Sequence, residues 1–104
     1  MSMTRNLEAL IADGKDGAPV RFALASRYVA EDQLDKALPH AQVAVTLDPD
    51  YSAAWKLLGR VLVDLGRPEE AENAYRRGIE VAERRGDQQA AKEMRVFLKR
   101  LNRA

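Results

Sequence analysis

The sequence predicts an all-α protein, an α–α superhelix of six antiparallel helices built from helix–turn–helix units. Three observations lead there. Alanine, leucine, glutamate, arginine and lysine dominate the 104 residues, and these are strong helix formers. Apolar residues recur three and four apart between regularly placed breaks, and no segment alternates apolar and polar residues as a strand would. The chain also matches itself when shifted by 34 residues. At 104 residues it holds one domain with one modest core.

The elements follow in order. Leu7, Leu10 and Ile11 stripe a short first helix, ended by Asp13-Gly14 and Asp16-Gly17. Pro19 suits the first turn of the second helix, where its missing N–H costs nothing, and Phe22, Leu24, Ala25, Tyr28 and Val29 stripe it. Glu31-Asp32 is a weaker break. Leu34, Ala37, Leu38, Ala41, Val45 and Leu47 stripe the third helix, and Asp48-Pro49-Asp50 ends it. Asp50 is placed to cap the fourth, which carries Ala54, Trp55, Leu58, Val61, Leu62 and Leu65 up to Gly66. Pro68 opens the fifth, with Ala71, Ala74, Tyr75, Ile79 and Val81 inward. Gly86 stops it and Asp87 can cap the sixth, striped by Ala90, Met94, Phe97, Leu98 and Leu101. Short connections make neighbouring helices antiparallel.

At the 34-residue shift, Leu24 meets Leu58, Ala25 meets Gly59, Tyr28 meets Leu62 and Val29 meets Val63. Ala37 meets Ala71, Asp35 meets Glu69, Val45 meets Ile79 and Leu47 meets Val81. Small residues at 25, 37, 59 and 71 let paired helices approach, while large ones at 24, 28, 58, 62 and 75 fill the gaps. Residues 52–85 carry Trp55, Leu58-Gly59, Gly66, Ala71 and Tyr75, and residues 18–51 carry Leu24-Ala25, Tyr28, Ala37 and Pro49. The period and these positions resemble the tetratricopeptide repeat family, each copy supplying signature residues that the other lacks. The resemblance implies a single domain over 1–104, with repeats at 18–51 and 52–85. Residues 3–13 would be the second half of an earlier repeat, and 87–102 a capping helix with a slipped register. Glu83 stands where the family has proline, so the fifth helix should run on to Arg85.

No catalytic constellation stands out. There is no cysteine, which excludes disulfides, thiol nucleophiles and cysteine metal sites. His40 is the one histidine, with no second histidine or cysteine to share a metal, and reads as a satisfied helix imidazole. Glu69, Glu70 and Glu72 follow Pro68 and suit the positive end of a helix dipole. No glycine-rich phosphate loop appears. The expectation is a non-enzyme without cofactor or metal.

Partner binding is the remaining reading. The resemblance implies a concave groove lined by Pro19, Phe22, Ser26, Val29 and Ala30 of the first repeat. From the second it implies Ala53, Lys56, Arg60, Val63 and Asp64. Of these, Phe22, Ser26, Lys56, Arg60 and Asp64 are the candidate partner-binding residues, with Phe22 either an anchor for a partner or packing against the first helix. Lys56 and Arg60, four apart, share a face and suit an acidic or carboxylate-ended peptide. Some family members hold a terminal carboxylate with a lysine–asparagine clamp. Phe22 and Ser26 stand where its first lysine and asparagine would be, so chaperone binding is not implied.

Charge offers a second surface. Net charge is +1, but from Arg84 onward seven basic residues face only Asp87 and Glu93. Arg95, Lys99, Arg100 and Arg103 form a basic C-terminal patch that can meet an acidic partner or nucleic acid. Phe97 is the one aromatic there and belongs to the apolar stripe, so no base-stacking platform is visible and nucleic acid is disfavoured. A third reading is self-association of Met94, Phe97, Leu98 and Leu101 with the same helix of a second copy, making the chain a monomer or weak homodimer. The longest uncharged run, Ala37 to Leu47, is far shorter than the ~20 residues that span a bilayer. Glu8 and Asp13 interrupt any N-terminal apolar run, so the expected location is cytoplasmic, without membrane contact.

Overall fold

Every break read from the sequence falls between two helices of the computed structural model, which describes residues 2–103. The elements are α1 (Met3–Ala12), α2 (Ala18–Ala30), α3 (Leu34–Leu47), α4 (Ser52–Asp64), α5 (Pro68–Arg85) and α6 (Gln88–Arg103). Among the described residues there is no strand, and no helix is long and apolar enough to cross a membrane.

Local chemistry sets the helix ends. Ser2 caps α1 by accepting from the Arg5 N–H at 3.1 Å. Asp87 caps α6 in the same way through Ala90 N–H at 3.2 Å. Gly66 and Gly86 take the left-handed conformation after α4 and α5, where a side chain would strain the backbone. Asp32, 34 residues before Gly66, adopts the same conformation with φ 58°, which aspartate tolerates better than most residues. Asp50 does not cap α4, contrary to expectation. Its carboxylate takes the Arg84 guanidinium, and α4 starts without a side-chain cap.

Each helix packs on its sequence neighbours, and α4 also meets α2 and α6. Thus α2, α4 and α6 form an inner layer, and α1, α3 and α5 lie behind them. This is the α–α superhelix. Thr4 ties α1 to the end of α2 by donating to Glu31 Oε2 at 3.2 Å, and Leu7 and Ile11 pack against Leu24 and Tyr28.

The core is rich in alanine. Ala25, Ala41, Ala44, Ala54, Ala71 and Ala74 are buried together with Val45, Leu58 and Leu62. Their small volumes bring the helices close, and two glycines go further. A β-carbon at Gly59 would stand 2.7 Å from Cδ1 of Tyr75, and one at Gly78 would stand 2.8 Å from Trp55 Cβ. Trp55 itself is half-buried, with Nε1 donating to the Pro49 carbonyl at 2.7 Å and Arg77 over its ring. One expected core residue is misplaced. Leu47 is 53% exposed, whereas Val81, 34 residues on, is 3% exposed. The reason is length: α3 ends at Leu47, but α5 continues to Arg85 and α6 covers its last turns.

Gly59→Val should drive the Tyr75 ring from its seat and destabilise the fold by about 1–3 kcal/mol, the usual range for overpacking. Gly59→Ala should cost less, because a gain in helix propensity of about 1 kcal/mol offsets part of the clash. Urea unfolding followed by Trp55 fluorescence measures both. A Tyr75→Leu background should shrink the penalty, and a valine variant with the wild-type midpoint would remove this contact as a constraint.

Candidate functional site

A cleft of about 760 Å³ opens between the inner helices, within the usual size range of binding sites. Helical spacing builds it. On α4 the residues at 53, 56, 57, 60, 63 and 64 share one face, and on α6 those at 97, 100 and 101 do the same. Phe22 enters from α2 and Tyr75 from α5. Six of the eleven lining residues are aliphatic or phenylalanine: Phe22, Ala53, Leu57, Val63, Phe97 and Leu101. Lys56, Arg60, Asp64 and Arg100 supply the charge.

The predicted groove residues therefore converge in part. Phe22, Lys56, Arg60 and Asp64 line the cleft, and Ser26 does not, being partly buried on α2. Phe22 packs against the buried cluster of Ala25, Ala54 and Leu58. Its ring lies 5.0 Å from that of Tyr51, in the α3–α4 turn, which fixes it at the cleft wall. Val29 turns inward onto the Leu24–Tyr28 cluster.

The two surfaces treated separately in the sequence are joined. Arg100 of the basic patch lines the cleft beside Phe97 and Leu101, while Arg95, Lys99 and Arg103 are exposed outside it. Arg95 pairs with Glu83 of α5. The stripe offered for self-association is buried only in part, with Phe97, Leu98 and Leu101 half-buried. Met94 is fully buried with its thioether in the space that Gly78 leaves, and Leu98 packs on the cluster of Tyr75, Ala82, Ala90 and Ala91. That removes Met94 from any surface between copies.

Lys56 is not an uncommitted cation. Its Nζ lies 3.1 Å from Glu93 Oε1 and bridges α4 to α6. Arg60 lies 3.9 Å from Asp64, one turn on, which is a loose pairing at high exposure. Among the described residues no carboxylate lies within 4.0 Å of Arg100. Tyr75 forms the floor. Burial pushes its phenol up to about 12, the Asp64 carboxylate adds to this and Arg60 opposes it. The hydroxyl therefore stays neutral and offers a donor to a bound group. Leu57, Tyr75, Phe97, Arg100 and Leu101 were absent from the sequence-derived groove. The spacing of 97, 100 and 101 was the available signal, but which way α6 faces is set by its packing on α5 and α4.

His40 is held apart from the cleft. Arg21 donates to its Nδ1 at 3.0 Å while forming a double hydrogen bond with Asp16, and the ring stacks on Tyr28 at 5.7 Å. Burial, then the Arg21 charge, lower its pKa, and Glu8 and Asp16 oppose this only in part. The described residues include no group of three or more His, Cys, Asp or Glu that can hold a metal ion.

A family model described as tetratricopeptide repeat matches residues 28–94. A TPR repeat-containing protein of Pseudomonas aeruginosa is 42% identical over 102 residues, covering 98% of this chain and 97% of its own length. A heat-shock protein cognate co-chaperone of Aspergillus fumigatus is 41% identical over 68 residues, 65% of this chain but 20% of that protein. Among solved structures, a Bordetella parapertussis protein superposes with a TM-score of 0.84 at 45% identity, covering 99% of this chain and 90% of that one. A tetratricopeptide repeat domain protein of Salinibacter ruber gives 0.77 at 30% identity, over 82% of this chain and 96% of that one.

The His40 environment generates a pH dependence. Because its folded pKa is lowered from 6.5, the unfolded chain binds the proton more readily. Stability is therefore full above about pH 6.5 and falls as pH drops towards the folded value. His40→Gln should flatten the melting temperature profile below about pH 6.5. An unchanged slope in thermal scans would assign the loss to another group.

Proposed function

The chain belongs to the tetratricopeptide repeat family, and from that premise we propose that it is a non-catalytic adaptor holding a segment of a partner protein in the α2–α4–α6 cleft. Domains of this family mediate protein–protein interaction. The observation that supports the cleft is its make-up, an apolar floor rimmed by Arg60 and Arg100. Apolar surface left open in this way gains free energy when a partner side chain covers it, and a few charges orient the ligand. On this reading residues 18–51 and 52–85 are two whole repeats. Helices α1 and α6 act as half-repeats that cover their outer faces. A clamp of the lysine–asparagine kind forms no part of it, because Phe22 and Ser26 occupy those places. Affinity would instead come from side chains entering between Phe22, Leu57 and Phe97.

The test uses peptides selected from a random displayed library on the folded chain. Val63 is 39% exposed on the cleft wall, so Val63→Glu should leave the fold intact and put a charge where an apolar group docks. Fluorescence anisotropy should show at least about a tenfold loss of affinity for that variant, the effect of one buried unpaired charge. Arg60→Glu should weaken peptides carrying a carboxylate and spare neutral ones. Affinities untouched by either change would move the binding surface away from the cleft.

A further inference from the structure

We propose that the cleft and the outer face of α6 form one continuous docking surface for a two-part segment of a partner protein. An apolar anchor would fill the cleft, and an acidic tract next to it would lie along α6. The proposal rests on the cleft reading above and adds to it the chemistry of the partner.

The placement of charge on α6 carries the inference. Lys92, Arg95, Lys99 and Arg103 fall within about 80° of the helix circumference at 100° per residue. They are exposed, on the side away from the buried Ala90 and Met94. Like charges three and four residues apart repel one another, so the stripe favours a negative counterpart. Among the described residues none provides one in full. Glu83 takes Arg95, and Glu93, the one acid on α6, is engaged by Lys56. Among the described residues no carboxylate lies within 4.0 Å of Lys92, Lys99 or Arg103.

Arg100 connects the stripe to the cleft. It follows Lys99 directly and precedes Arg103 by less than one turn, yet it lines the cleft beside Phe97 and Leu101. A chain leaving the apolar floor over this rim meets Lys99 or Arg103 next. From Lys92 to Arg103 the helix rises about 16 Å, which an extended chain spans in about five residues. The expected partner segment thus pairs one or two large apolar residues with a run of about five positions rich in Asp and Glu. An acidic protein fits better than a nucleic acid, since the stripe is one helix wide and Phe97 faces Tyr75 rather than the stripe.

The experiment selects a random 16-residue phage-displayed library on the full chain, on Val63→Glu and on the double variant Lys99→Gln, Arg103→Gln. Both lysine and arginine sites are exposed, so the double variant should melt like the wild type. Wild-type selections should enrich peptides joining apolar and acidic positions. A synthesised winner should lose about fivefold in affinity to the double variant, the effect of two exposed ion pairs, and weaken further as salt is raised. Selections on the double variant should keep the apolar positions and lose the acidic ones. Winners without acidic bias would overturn the two-part surface while leaving the cleft reading standing. Winners indifferent to Val63→Glu, or no enrichment at all, would overturn both. A labelled dT oligonucleotide that binds the wild type and Val63→Glu equally, but not the double variant, would assign the stripe to nucleic acid and overturn the proposal.

Discussion

Gly59 has no side chain, and the Tyr75 ring lies against the α4 backbone in the space this leaves. Much of the molecule follows from that contact. It sets how closely α4 approaches α5, and so where the Tyr75 ring ends, 3% exposed and at the floor of the cleft. The Phe97 ring rests on it at 5.7 Å, which fixes the rotation of α6. With Phe97 turned in, Arg100 and Leu101 are carried to the cleft, Leu98 packs on the Tyr75 cluster, and Lys99 and Arg103 are carried to solvent. Gly78 does the same work one helix over, leaving room for Met94 and Trp55. A larger residue at either glycine would separate helices that the whole inner layer needs close together.

Polar contacts then refine what packing has arranged. The bridges Lys56–Glu93, Arg84–Asp50 and Arg95–Glu83 tie α6 and the end of α5 to their neighbours. Each lies at the surface, where an ion pair contributes about 0–1 kcal/mol. Their larger effect is on the site. They neutralise some cations and leave others open, so the electrostatic character of the cleft and the α6 face differs from a count of lysines and arginines. Lys56 shows the difference most clearly, because a groove position that reads as a free cation is already engaged from the facing helix.

Much of the architecture was legible in one dimension. Gly66, Gly86, Pro68 and Asp87 act locally, on their own backbone or the next turn, so their effects do not depend on distant packing. The spacing of Leu24, Ala25 and Tyr28, repeated at Leu58, Gly59 and Leu62, similarly marks the buried faces of α2 and α4 without any knowledge of neighbours. The failures occurred where a neighbour decides. Asp50 was free to cap α4 until Arg84, 34 residues away, took its carboxylate. Leu47 lost its cover because α3 is shorter than α5. Ser26 sat at a groove position by register yet lies outside the cleft.

By itself, then, the sequence determined the helices, their ends, the 34-residue period and the all-α superhelix. Each of these is an arrangement of residues within a turn or two of one another, or a repetition of it. Tertiary structure alone decided that Phe22, Arg60, Phe97 and Arg100 share one cleft, that Lys56 is spoken for, and that Met94 is interior. Those outcomes depend on the rotation of α6 about its own axis, set by Tyr75 and Gly78 on a different helix. Side-chain direction on a helix is periodic and readable, but its phase against a neighbour is fixed only when the two surfaces interlock.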